Sequence, residues 1–155
     1  MNPEMKIIRE VSVEAEDFYD KAVELGQHAA DALKSRHRSQ MTGLENIAES
    51  TFKTSDVFDY IKKQTARFPH WRQSPERRSA APGFGESLQI YLEGKLAERR
   101  DDVCKRLGIG DTSYEHKQER RRVYLLLIRQ FIRSMVVEYE YQVSRKSNEQ
   151  NGKER

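Results

Sequence analysis

ERRRVYLLLIRQFIRSMVVEYEYQVSRK, residues 119–146, is the longest apolar run of the chain, and it has a helical period. Tyr124, Ile128, Phe131, Met135, Tyr139 and Val143 recur every three or four residues, with Leu125, Ile132 and Val136 beside them. Apolar residues at that spacing form the stripe of a core-facing helix. Every residue from 124 to 128 is apolar, so this part of the helix calls for cover on all sides. The rest of the chain is expected to pack against it, and any apolar surplus there is expected to form a subunit interface.

Working outward, the chain has 155 residues, which suits one domain with one core. Charged residues make up 34%, above the usual figure of about 25%, and imply extensive exposed helix faces. Four prolines and eight glycines are too few for an all-β protein. The net charge is +3 but uneven: residues 1–33 hold eight acids against three bases, a net of −5 that leaves +8 for the remainder. An acidic first helix and a basic body point to polyanion contact on the body, or else to a charge match within the molecule. Cys104 is the only cysteine, so no internal disulfide forms and a reducing, cytoplasmic setting is expected. The N-terminus is too charged for a signal peptide, and no window approaches the roughly 18 apolar residues of a membrane span.

The pattern predicts an all-α, single-domain bundle of four to five helices occupying residues 11–146. Residues 1–10 read as a lead-in and 147–155 as a polar tail that frays. Helix one is placed over 13–36 with Ser12 as its cap and Phe18, Ala22, Leu25, Ala29 and Leu33 on its buried face. Thr42 and Glu45 make a capping box for a short second helix. A third begins at Thr54 or Ser55 and stops before Pro69, since the residue preceding proline is pushed out of the helical region. Residues 69–85 hold three of the four prolines and read as a long loop. A fourth helix is placed over 86–107 and ended by Gly108.

Catalytic signatures are missing. His28, His37, His70 and His116 do not pair at a metal-ligand spacing, and one cysteine cannot build a structural zinc site. Neither a metal nor a cofactor is expected. Gly83 and Gly85 resemble the start of a phosphate loop, but no Lys-Ser/Thr follows and no strand precedes them. Asp101 and Asp102 sit among Arg99, Arg100, Lys105 and Arg106 and read as solvated salt bridging.

The basic stretches carry more. Lys62, Lys63, Arg67, Arg72, Arg77 and Arg78 are interleaved with Phe68, His70 and Trp71, the only tryptophan. Cations mixed with aromatics suit a nucleic-acid backbone with occasional base stacking. Arg120, Arg121 and Arg122 head the last helix, and Arg129 and Arg133 follow Arg122 at seven and eleven residues, on one face. Such phosphate contacts, to RNA or DNA, would not select a sequence. The competing reading is an ordinary solvated basic surface with Trp71 in the core.

Two segments resemble a known family. FKTSDVFDYI, residues 52–61, resembles the threonine-serine-x-isoleucine helix start of the small all-helical subunit of type III CRISPR effector complexes. FIRSMVVEYEY, residues 131–141, resembles that subunit's last helix, and the order along the chain agrees. Arg133, Ser134 and Glu138 depart from the family's pattern, and residues 1–40 have no counterpart in it. The resemblance implies a non-catalytic subunit in antiviral defence that stacks along a complex and meets guide–target RNA through basic residues. The combined expectation is a non-enzymatic helical subunit that contacts RNA or DNA. A protein–protein module self-associating through residues 119–146 is the alternative, and a helical enzyme ranks third.

Overall fold

The structure, a computed structural model, describes residues 1–75 and 80–153. Those residues form helices and turns with no strand. The helices are α1 (Pro3–Leu33), α2 (Arg38–Ser50), α3 (Thr54–Arg67), α4 (Phe84–Glu93), α5 (Lys95–Arg106) and α6 (Tyr114–Lys153). Short 3₁₀ turns at Ser35–His37 and Pro69–Arg72 precede α2 and follow α3. The stretch expected as one fourth helix is broken at Gly94, so the bundle consists of five helical rods, one of them kinked. One hydrophobic core runs through all of them.

The last helix is the axis of the bundle, as its period implies. Val123, Leu127, Ile128, Phe131, Ile132, Met135 and Tyr139 are buried along it. Little apolar surplus remains at 124–128, where only Leu126 is partly exposed. Tyr124 and Leu125 are only 8% and 4% exposed. The Tyr124 hydroxyl donates to the Leu92 carbonyl at 2.6 Å, and the Arg100 guanidinium lies 4.6 Å from its ring. Tyr124 is thus covered by Phe58, Leu92 and Arg100 of the same chain, while Val137 and Tyr141 stand exposed further along the helix. The helix also runs on through the expected tail to Lys153.

The first helix begins ten residues before its expected start. Asn2 caps it, its side chain accepting from the Met5 N–H at 2.8 Å, and Pro3 occupies the first turn. Ser12 is no cap: its hydroxyl donates back to the Ile8 carbonyl within the helix. The expected lead-in is therefore helical, and Ile7 and Val11 continue the buried stripe. The contact of α1 with α6 is the most extensive in the molecule. The two helices run parallel, because Glu4 meets Arg122, Phe18 meets Phe131 and Asp31 meets Lys146. Gly26 permits their closest approach: a Cβ there would lie 2.6 Å from the Glu138 Cβ and 2.7 Å from the Met135 carbonyl oxygen.

Helix α5 ends as predicted. Gly108 has φ +69°, Ile109 N–H reaches the Cys104 carbonyl at 2.8 Å, and Gly108 N–H reaches Lys105. That is a Schellman arrangement, with Ile109 buried behind it. Ser113 caps α6 through the His116 N–H. Among the described residues, no helix is long and apolar enough to cross a membrane.

Candidate nucleic-acid interface

The arginines of α6 share a face, but that face looks onto α1 and α2. Arg122 reaches Glu4 at 2.8 Å and Arg133 reaches Glu49 at 2.7 Å. Arg129 donates to the carbonyls of Ala48 and Thr51, each at 2.7 Å. Those carbonyls end α2, where unpaired acceptors and the negative end of the helix dipole favour a guanidinium. Arg120 is engaged by Asp101. Arg121 is the exposed member of the set without an ion pair among the described residues. The predicted strip is thus largely compensated at a half-exposed surface, because the acids and carbonyls that meet it come from helices distant in sequence.

A second set of pairs matches the acidic first helix to α5. Glu14 is 5% exposed and lies 2.7 Å from Arg99 and 2.8 Å from Arg106, which also reaches Glu10 at 3.0 Å. Burial opposes the charge on Arg99, yet Glu14 and the Tyr91 hydroxyl outweigh it and hold the guanidinium above its ordinary pKa. A buried carboxylate persists only with such partners. Much of the uneven charge in the sequence is therefore matched within the molecule.

The segment around residues 62–78 divides. Trp71 is a core residue at 0% exposure, so it offers no face to a base. Its indole N–H donates to Gln40 Oε1 at 2.7 Å, and its ring packs 5.1 Å from Phe84 and 6.4 Å from Tyr60. The largest apolar side chain of a loop is the one most favoured for burial once a cavity at the bundle end will take it. Arg72 caps α3, donating to the Thr65 and Ala66 carbonyls at 2.8 and 3.1 Å. Lys63 lines the α2–α3 groove beside Asp56 and Asp59. Lys62 and Arg67 are exposed. Arg77 and Arg78 lie outside the described residues.

Apart from scattered exposed cations such as Lys95, Lys105 and Lys117, one cationic set is assembled by tertiary structure from residues that periodicity did not single out. Lys34 ends α1 with φ +53°, a conformation unfavourable for a side-chain-bearing residue. The Tyr139 hydroxyl holds its carbonyl and the Ala30 carbonyl accepts its N–H. This reversal carries Arg36, His37 and Arg38 against the segment after α3. The rings of His37 and His70 stack with centroids 3.6 Å apart and an interplanar angle of 4°. Phe68 lies 5.5 Å from His70, and Arg67 sits 5.5 Å from the Phe68 ring. Gln40 Oε1 ties the set together, 2.7 Å from both His70 Nε2 and Trp71 Nε1. Burial, and then the neighbouring His37, hold the His70 imidazole below its ordinary pKa.

The segments joined here, 34–40 and 62–73, contain Lys34, Arg36, Arg38, Lys62, Lys63, Arg67 and Arg72 and no carboxylate. Arg38 is compensated from α6, by Glu140 at 3.0 Å. Lys34, Arg36 and Arg67 have no ion pair among the described residues. A sequence search for aromatics among cations finds Phe68 and His70 but not their partner. The run KSRHR, residues 34–38, is the signal that pointed there.

Among the described residues no group of three or more His, Cys, Asp or Glu side chains could hold a metal ion. A groove of about 740 Å³ lies beside α1, lined by Glu24, His28, Asp31, Arg145 and Lys146 among others, with both signs of charge. His28 is buried there, its Nε2–H donating to the Gln73 carbonyl at 2.8 Å. No protein-family model, no curated protein and no solved structure matches this chain.

Proposed function

We propose that this chain is a non-catalytic helical subunit that holds an RNA or DNA backbone at the corner formed by Lys34, Arg36, His37, Arg67 and His70. The observation that carries the reading is the contrast in compensation. The α6 arginines other than Arg121 have partners within the chain, whereas Lys34, Arg36 and Arg67 are exposed with none among the described residues. Half-buried rings set among free cations suit a polymer of phosphates and bases. The resemblance of residues 52–61 and 131–141 to the small subunit of type III CRISPR complexes adds an assembly, a cytoplasmic setting and an antiviral role to the proposal. Effector genes adjacent to this one would support that part, and their absence would count against it.

The test is binding of a labelled single-stranded RNA and a duplex DNA at low salt, followed by titration with salt. Backbone contact predicts a linear loss of log affinity with log salt, with a slope of about −0.7 to −0.9 per contact. Failure of both probes to bind removes the reading.

One observation favours a protein partner as the second reading. Phe52 is 91% exposed at the tip of the α2–α3 turn. The turn beneath it is braced: Thr51 Oγ1 donates to Asp56 at 2.6 Å and accepts from the Lys53 N–H at 3.0 Å, while Arg129 holds the Thr51 carbonyl. A braced, projecting aromatic is the usual anchor of an interface. Self-association through it predicts a mass above the monomer by light scattering that returns to the monomer in Phe52→Ala.

A further inference from the structure

We propose that the His37–His70 pair makes this corner a proton-coupled grip, taking up a proton as it closes on a nucleic-acid backbone. The inference rests on the nucleic-acid reading above and names the regulation of that same site.

Two imidazoles in face-to-face contact cannot both carry charge cheaply, because like charges at that distance disfavour the second proton. The hydrogen bonds also fix where a proton can go. Trp71 Nε1 only donates, so the Gln40 atom it meets is an acceptor. His70 Nε2, at 2.7 Å from the same oxygen, must then donate to it. The nitrogen left to take up a proton is Nδ1, which has no partner among the described residues. His70 can therefore become charged in place, without breaking its bond to Gln40.

The surroundings decide when it does. The charged groups on the segments that carry the pair are Lys34, Arg36 and Arg38 on the turn with His37, Arg67 at the end of α3, and Arg72 on the turn with His70. Gln40, from α2, is neutral. The carboxylate that reaches this set from α6 is Glu140, which is bound to Arg38. Burial and the neighbouring His37 ring thus keep a proton off the empty corner. A phosphodiester chain lying across Arg36 and Arg67 reverses the sign of the local field and draws one in. The bound form then has the higher imidazole pKa. Affinity is accordingly flat at high pH, rises as pH falls through the bound value, and levels off below the free value. One proton gives at most about tenfold per pH unit.

The experiment is fluorescence anisotropy of a labelled oligouridylate at fixed low ionic strength, from about pH 8 down to about pH 5.5. The wild-type chain is expected to gain roughly tenfold in affinity over that range. The double variant His37→Asn, His70→Gln keeps a donor for Gln40 and is expected to show a flat profile across that range, whatever its absolute affinity. Proton NMR of the wild-type chain provides a readout that needs no variant: the apparent pKa of the His70 imidazole moves up when oligouridylate is added. Binding that is strong but indifferent to pH overturns the coupling and leaves the nucleic-acid reading standing. A double variant that folds and keeps the wild-type slope does the same. Inorganic triphosphate binding with the pH profile, in place of oligouridylate, overturns it in favour of a small polyphosphate. No binding at any pH overturns both.

Discussion

Along α6, Arg120, Arg122, Arg129 and Arg133 each end on an acceptor of this same chain, while at the other basic region Lys34, Arg36 and Arg67 end on none among the described residues. In sequence the first set is the more conspicuous: denser, longer and on one helical face. In the fold it is paired with acceptors of α1, α2 and α5 at a half-exposed surface. The difference teaches that a basic run becomes a basic surface only if no helix brings carboxylates or terminal carbonyls onto it. Here α1 and α2 bring both to α6, and little comes to the turn after α1.

The comparison can be broken or sharpened by substitution, and the largest effect is expected beneath the corner itself. Trp71→Ala removes a fully buried indole and its bond to Gln40, and is expected to cost about 3–5 kcal/mol in urea unfolding. If Trp71 were a surface stacking residue instead, stability would hardly change. Arg129→Ala comes next. It leaves the Ala48 and Thr51 carbonyls without their guanidinium, at a cost of about 2–3 kcal/mol, and nucleic-acid affinity is expected to stay within twofold, roughly the error of such a comparison.

The mirror-image result is expected at the corner. Arg36→Glu with Arg67→Glu should change stability by under about 1 kcal/mol, since Arg36 has no ion pair among the described residues and Arg67 has only the Phe68 ring and the end of α3. Affinity for single-stranded RNA should fall roughly tenfold or more, with the salt slope reduced by about two contacts. A large loss of affinity in Arg129→Ala and none in the corner variant would reverse the assignment of the two regions. Gly26→Ala probes the α1–α6 seam without touching charge. Its Cβ would strike the α6 backbone, and a loss of about 1–3 kcal/mol is expected.

The smallest effect is on pH and stability in the absence of ligand. Burial holds His28 below its ordinary pKa of 6.5, partly opposed by the bond to Gln73, and burial together with His37 does the same for His70. The unfolded chain therefore binds protons that the native state does not. Stability is full above about pH 6.5 and declines as pH falls from there towards the lower folded values. Thermal melts across that interval check the sign, and a midpoint that rises on acidification would contradict it.

Much of the fold was legible because periodicity is a local property. The stripe on residues 119–146, the stop at Pro69 and the Schellman end at Gly108 all follow from neighbours a few residues away. The start of α1 was misplaced for a local reason too: Ser12 is a good cap by type, but Asn2 and Pro3 are a better pair and Ile7 and Val11 extend the stripe. The break at Gly94 was hidden because Leu88, Leu92, Leu96 and Val103 keep a helical spacing across it. The candidate site was half legible. Phe68, His70 and Arg67 can be picked out among cations; of the two readings of Trp71 the fold supports the core one, and no local pattern links His37 to them.

The sequence alone determined that this is an all-α chain built on its last long helix, because apolar spacing and caps act within a few turns. Only the tertiary structure decided which cations are free. Arg122 and Glu4 are 118 residues apart, and His37 and His70 belong to different connections. Compensation of a charge depends on distance in space, which local pattern does not encode.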